Sequence, residues 1–542
     1  MSEKQEFSEE EKTTLKPFFS NLEKDVFVLT NLPEVVKGAL FSRYSRSSKS
    51  IRRLLLDEFI NDEKTGFNEI VAHSEAMGED QIIATQKAEE FYDRVLVGYG
   101  DDSVAELGGG HIACENVSNI ASKLLEDSRI GISPLEKSTR YVYYDEKVDG
   151  AYRYVKESTL MESKHADLYI NTCDSLFDSY AKWLPETKKY LQEKFPKEDA
   201  SDRAYNSSIK AKACDILRGL LPAATTTNVG MFGNGRSFEY LITKMHSQEF
   251  AESQYLGKEM HTELMKVMPS FVKRATGKYG DPTINFLRET RKDMQKLADK
   301  TFKEEPESKE EVVLTHYDKD AEEKVVAAAL YPFTNLSFTQ VKNKVRKMSE
   351  AERKQVINTY QQRRENRRHK PNRGFEHAYY EFDLLCNYAS YRDLHRHRVL
   401  TQQRQDLTVK HGFDLPIEAE EIGFVRDFTE QMKSAEHAYN TIYKDHKKEA
   451  PYVVPFAYRI RWSNYLNLRE LYHLVELRST IHGHPDYRRI VLKMLEEVKK
   501  VQPRLVEWMK YVDYREVGLE RLESEKKTDA KLKEVERKYG SK

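Results

Sequence analysis

Apolar residues recur every three or four positions in EYLITKMHSQEFAESQYLGKEMHTELMKVM, residues 239–268, and in LRELYHLVELRSTI, residues 468–481. That spacing lines one side of a helix with apolar side chains. HIACENVSNIASKLLEDSR, residues 111–129, predicts a third helix. HAYYEFDLLCNYAS, residues 377–390, is dense in aromatic and apolar residues and predicts a strand. The pattern predicts an α+β fold, a mixed sheet with packed helices.

The pattern also repeats. Pro222, Asn234 and Arg236 of LLPAATTTNVGMFGNGRS return as Pro455, Asn467 and Arg469 of VVPFAYRIRWSNYLNLRE, each 233 positions later. Asn119 to Ser122 (NIAS) returns as Asn387 to Ser390 (NYAS), 268 positions later. GALFSRYS from Gly38 resembles AALYPFTN from Ala328 more weakly. The matches keep their order, which predicts two diverged copies of one domain. We expect a flexible arm over 1–25, a first copy over 26–295 and a charged linker over 296–319. A second copy follows over 320–515, then a charged tail over 516–542.

With 542 residues the chain is too long for one ordinary core, in keeping with two domains. The net charge of -1 supplies no global field for nucleic acid, so anion binding must be local. Cys114, Cys173, Cys214 and Cys386 form no Cys-x-x-Cys pair, and such sparse usage fits a reducing cytoplasm. The N-terminus has no apolar signal segment, and no apolar run is long enough to span a bilayer.

Local anion sites are easy to find. LHRHRVLTQQRQDLTV, residues 394–409, carries Arg396, His397 and Arg398, with Arg392 four residues before Arg396. Arginine offers a planar, always charged fork suited to phosphate or a carbonyl edge. Residues 467–482 add Asn467, Arg469, His473, Arg478 and His482, several donors beside an apolar wall. The bland reading is an interface helix whose cations pair with acids. His395, His397, His411, His473, His482 and His484 concentrate here, but there is no His-Glu-x-x-His spacing and the arginines repel a cation. No metal site is expected. In the first copy, LEKSTRYV supplies Glu136, Ser138 and Arg140, and Arg218 precedes LLP. A hydroxyl, backbone amides and guanidinium groups can hold a phosphate. GYGDDSVAELGGGH, residues 98–111, is Gly-rich but lacks the Gly-Lys-Ser/Thr of a phosphate loop.

Together these pieces resemble the flavin-dependent thymidylate synthases. That family's hallmark runs Arg-His-Arg-x-x-Ser-x-Asn-Glu-x-Ser-x-Arg-Tyr, preceded by Phe-Glu-His and followed by an Asn-x-Arg helix ending in Arg-x-x-x-His. The second copy matches with Phe375-Glu376-His377, Arg396-His397-Arg398, and Asn467 and Arg469 through Arg478 and His482. It departs at Thr401, Arg404, Asp406 and Thr408. The first copy is complementary. It keeps Ser133, Glu136, Ser138, Arg140, Tyr141 and Arg218, but has Ser128-Arg129-Ile130 for Arg-His-Arg, Ala105-Glu106-Leu107 for Phe-Glu-His, and Met245 and Glu249 for the late Arg and His.

The resemblance implies reductive methylation of dUMP to dTMP with FAD, using NADPH and methylenetetrahydrofolate as co-substrates. It assigns FAD to His377, Arg396, His397, Arg398, Asn467, Arg469, His473 and His482. It assigns dUMP to Glu136, Ser138, Arg140, Arg218 and Arg478, and catalysis to Arg478 and Arg396. The family works as a homotetramer, so a homodimer of this chain would form a pseudo-tetramer. Alternatives are a flavoenzyme acting on another nucleotide, and a non-catalytic nucleotide- or nucleic-acid-binding protein using QQRRENRRHK (361–370) and SRYSRSSKSIRR (42–53).

Overall fold

A computed structural model describes residues 6–32, 34–45, 47–61, 104–128, 130–306, 309–516 and 518–539. Residues 98–103 of the Gly-rich stretch, Arg129, and Arg46 of the basic run at 42–53 lie outside the described residues. The described strands form two sheets. Strands β1 (Gly109–Ser118), β2 (Ile132–Glu136) and β3 (Thr226–Asn234) give the order β1-β3-β2. Strands β4 (Val312–Tyr317), β5 (Tyr379–Asn387), β6 (Leu400–Arg404) and β7 (Arg459–Asn467) give the order β4-β5-β7-β6.

The duplication is written into the register. In the first sheet Ile132 pairs Gly233, and Glu136 pairs Val229. In the second, Leu400 pairs Leu466, and Arg404 pairs Trp462. Adding 268 to each β2 residue and 233 to each β3 residue turns the first pairing into the second. The same offset governs helix starts. Asn234 Oδ1 accepts from Ser237 N at 2.8 Å, and Asn467 Oδ1 accepts from Glu470 N at 2.9 Å, each capping the helix that follows. The mixed sheet expected for the second copy is antiparallel throughout. β5 and β6 run the same way, but β7, arriving after the Val425–Ile442 helix, lies between them.

Three local expectations change. The helix predicted over 111–129 is strand β1 followed by a short helix, Asn119–Glu126. The arm expected over 1–25 is a packed element over its described residues. Ser8 and Glu11 make a capping box on the Glu9–Leu15 helix, and Leu15, Phe18 and Phe19 are buried in a core with Leu40, Leu54 and Phe59. Burial of those three side chains outweighs the charge around them. The charged stretch 296–319 begins in the last turn of the Gly277–Thr301 helix and ends in β4, because Val312 and Val313 pair with Leu384 and Asp383 of β5. The tail contains a helix, Leu522–Tyr539, whose Glu525 takes an ion pair from Arg203 at 2.9 Å.

The chain forms two compact units, and they do not follow the order of the two copies. One comprises Met1–Val117, Ala121–Lys137 and Asn228–Lys303. The other comprises Ser118–Ile120, Ser138–Thr227 and Glu304–Lys542. A ninety-residue piece of the first copy therefore folds with the second copy. Within that unit Pro222 and Pro455, the repeat-related prolines, sit opposite each other in an antiparallel bridge. Ala223 N donates to Val454 O at 2.8 Å, and Phe456 N donates to Leu221 O at 2.9 Å. Nearby, Asp427 of the Val425–Ile442 helix accepts from Ser179 Oγ and Trp183 Nε1 of the Ala166–Lys194 helix. Among the described residues no helix is long and apolar enough to cross a membrane.

Candidate functional site

The second unit gathers five arginines around three buried or half-buried acids. Arg140 follows the Ser138 turn and Arg218 ends the Asp202–Leu217 helix. Arg392 lies on the Tyr388–Leu394 helix, Arg396 just past its end, and Arg478 at the last position of the Leu468–Arg478 helix. Arg140 donates to both oxygens of Asp215, at 2.6 and 2.5 Å, a buried bidentate pair. Arg218 is buried and stands 3.7 Å from Asp393, while its Nε and one terminal nitrogen have no hydrogen-bond partner. Arg392 donates to Thr139 Oγ1 at 3.4 Å and lies over the Phe456 ring. Burial alone would raise the Asp393 carboxyl, but the charges of Arg396, Arg218, Arg478 and Arg140 outweigh it and hold the group far below the ordinary range.

Beside this cluster a cavity of about 270 Å³ is lined by Lys370, Arg396, His397, Arg398, His473 and Arg478 among others. Buried His397 is the hinge of its wall. Its Nδ1 bonds Glu470 Oε1 at 2.7 Å, and its Nε2 accepts from Arg478 Nε at 3.1 Å. Burial and the adjacent Arg478 push its pKa far down, so the ring is neutral with its proton on Nδ1. This fixes the orientation of Arg478 and leaves its terminal nitrogens uncommitted. His397, Glu470 and His473 bring potential ligand atoms within 4.8 Å of one another. Both nitrogens of His397 are already used, and Arg478 repels a cation there, so the donor set suits a metal poorly.

The comparisons bear on this arrangement. The family profile described as thymidylate synthase complementing protein matches twice, over residues 55–270 and 313–504. The chain belongs to the thymidylate synthase complementing protein family. A Chlamydia pneumoniae protein named UPF0159 protein is 44% identical over 516 residues, covering 94% of this chain and 96% of its own. A flavin-dependent thymidylate synthase of Pyrococcus abyssi is 31% identical over 153 residues, 25% of this chain and 61% of that one. Of solved structures, a UMP/dUMP methylase from Streptomyces cacaoi bound with 5-Br UMP is 17% identical, covers 37% of this chain and 94% of its own, and has a TM-score of 0.29, too low to speak to the fold.

The family member's expected site residues divide as follows. Arg396, His397, Arg398, Asn467, Arg469, His473 and Arg478 all line the one cavity. Asn467 also caps its helix, and Arg469 donates to Pro371 O and Glu376, so both have structural work as well. Ser138, Arg140 and Arg218 fall in the same unit, Arg140 and Arg218 within the arginine cluster. Three expected residues lie elsewhere. Glu136 belongs to the other unit, where it is buried against Lys123 at 2.9 Å. His377 is exposed beside Phe338, and His482 bonds Glu520 O at 2.9 Å. Their motif spacing is sound, but spacing does not say which neighbour the chain turns toward. Sequence reasoning missed Asp215 and Asp393, and Tyr487, whose hydroxyl accepts from Arg140 at 3.5 Å. The signal was present, since each Asp stands three residues before a site arginine, but an acid in a charged string is ordinarily solvated.

His473 and His484 are each pushed down to about 4, mainly by burial, His484 also by Arg218. Both are neutral in the fold, while the unfolded chain binds their protons from about pH 6.5 downward. Stability is therefore expected to fall as pH drops from about 6.5 toward 4. Urea midpoints at pH 7.5, 6 and 5 check this, and His484→Asn should flatten part of the decline.

Proposed function

We propose that this protein carries out flavin-dependent reductive methylation of dUMP to dTMP, with methylenetetrahydrofolate and NADPH as co-substrates. The observation that carries the reading is the meeting of Arg140 and Arg218 from the first copy with Arg396 and Arg478 from the second, in one unit, around Asp393. The donor set beside them suits a flavin. The cavity of about 270 Å³ has room for a ring system rather than a whole dinucleotide, and its basic rim at Lys370 and Arg398 complements a diphosphate. Arg396, Arg398, Arg469, His473 and Lys370 would hold that group, which supplies the redox chemistry when bound. Arg478, aimed by neutral His397, would place its free nitrogens against the substrate ring and stabilise charge developing there. Arg218, desolvated and with open donors, would take the phosphate.

The nucleic-acid reading is less well supported. In the run at 361–370, Arg364 is buried in a bidentate pair with Glu476. In the run at 42–53, Arg43 pairs Glu58, Lys49 pairs Asp57, Arg53 pairs Glu11, and Arg52 donates to Asn21 O and Lys24 O. These cations are engaged by groups of the protein itself, while Arg363 and Arg368 stay exposed. The deciding test is a visible absorption spectrum of the purified protein after FAD loading and desalting. Retained flavin that NADPH bleaches, followed by product from dUMP and methylenetetrahydrofolate, is the expected result. A protein that keeps no flavin after loading would sink the reading.

A further inference from the structure

Arg521 immediately precedes the Leu522–Tyr539 helix of the tail. It lies beyond residue 504, where the second family match ends. Its guanidinium carbon stands 4.1 Å from the centroid of the Tyr141 ring. Tyr141 directly follows Arg140 in the Ser-Thr-Arg-Tyr stretch, so a residue of the tail meets a motif of the first copy. Both belong to the second unit. Ser138 is in the same turn, where its carbonyl accepts from Tyr141 N at 3.3 Å and its Oγ from Arg140 N at 3.2 Å.

Two cations side by side ask for a reason. Among the described residues the Arg521 side chain has no hydrogen bond and no ion pair, and its Nε is buried without a partner. Burial, and after it the charge of Arg140, push its pKa down to about 9. The carboxylate of Glu525 works the other way, but it is paired with Arg203 at 2.9 Å. A partly desolvated cation beside a like charge is unfavourable by itself. An anion shared by the two guanidinium groups removes the conflict.

The tail is fixed in this place. Glu520, next to Arg521, is 5% exposed and takes an ion pair from Lys212 at 2.9 Å. Further on, Lys526 pairs Asp199 at 2.7 Å. Lys212 and Asp215 are three residues apart on one face of the Asp202–Leu217 helix. That one helix therefore holds Arg521 through Glu520 and Arg140 through Asp215. Arg140 has little left for a ligand. Asp215 takes its Nε and one terminal nitrogen, and the other terminal nitrogen reaches Tyr487 Oη at 3.5 Å. Arg521 has its planar fork to offer, beside a Tyr141 ring that is 50% exposed.

We propose that Arg521 is a substrate-binding residue, a donor from the C-terminal tail that holds the nucleotide's phosphate at the Ser138 turn beside Arg140. The proposal deepens the reading above and rests on it, since it takes this turn as the phosphate end of the dUMP site. The phosphate is the one already given to Arg218, whose charge also bears on Arg140.

The test is calorimetric titration of dUMP into the FAD-loaded full-length wild type, Arg521→Gln and Arg521→Lys, at low and high salt. Arg521→Gln keeps a planar end over Tyr141 and removes the charge. It is expected to weaken dUMP binding by about tenfold and to flatten the fall of affinity with salt. Arg521→Lys keeps the charge and should retain most of the affinity. Urea midpoints of each variant check that the fold persists. Wild-type affinity in Arg521→Gln overturns the proposal. So does a weakening that leaves the salt dependence unchanged, because lost packing alone would produce it. A wild type that retains FAD but binds no dUMP removes the underlying nucleotide-site reading instead, so the two failures are distinguishable.

Discussion

Arg478→Ala is expected to cut dUMP methylation by about 10²–10³-fold while the protein stays folded. The residue ends the Leu468–Arg478 helix and is half-buried, with its Nε on His397 and its guanidinium 5.8 Å from the Tyr487 ring. Alanine is a good helix former, and the loss of one cation from a helix C-terminus costs only about 0.3–1 kcal/mol. The structural penalty is thus small, whereas the charge facing the substrate ring disappears entirely. Arg478→Lys should fall between the two, because it keeps the charge but lacks the planar fork that His397 orients. Steady-state turnover, with circular dichroism to confirm the fold, decides the matter. Turnover within a few-fold of wild type would remove Arg478 from the chemistry.

The largest stability effect is expected at Lys123, in the other unit. Its ammonium is 1% exposed and is paired with Glu126, and with Glu136 at 2.9 Å. Lys123→Ala would remove the ammonium that two buried carboxylates share, at a cost of about 3–5 kcal/mol. Replacing all three groups with apolar residues, Lys123→Met with Glu126→Leu and Glu136→Leu, should recover most of that loss, because an ion cluster out of water spends much of its attraction on desolvation. Urea unfolding of the single and triple variants measures both effects. A single variant as stable as wild type would mean that the buried cluster is not formed.

The Lys123 cluster also shows where sequence reading stopped. Glu136 and Arg140 sit four residues apart in one motif, yet one ends a strand beside Lys123 and the other grips Asp215 in a different unit. Nothing local marks that parting, which is set by partners far along the chain. The repeat was legible because it rests on spacing, and the offsets of 233 and 268 carry straight into strand register and helix caps. The Leu468–Arg478 helix was legible because its period is strong. Strand β1 was not, because the helical period of Asn119–Glu126 runs straight back into it and β1 shows little in-and-out alternation. Its Asn116 takes a left-handed backbone that neither a regular helix nor a regular strand would allow.

The bridge between Pro222 and Pro455 has a consequence for how the cluster responds to dilution. Where substrate-side and cofactor-side groups come from separate subunits, their meeting obeys mass action and fades as protein becomes scarce. Here Arg140, Arg218, Arg396 and Arg478 arrive on one covalent chain, and the bridge clamps the two repeats at equivalent points. Tethering replaces an encounter by an effective concentration that no dilution lowers. Fusion also frees each copy to mutate half of its inheritance, which a freely exchanging subunit could not do without spoiling every partner it met.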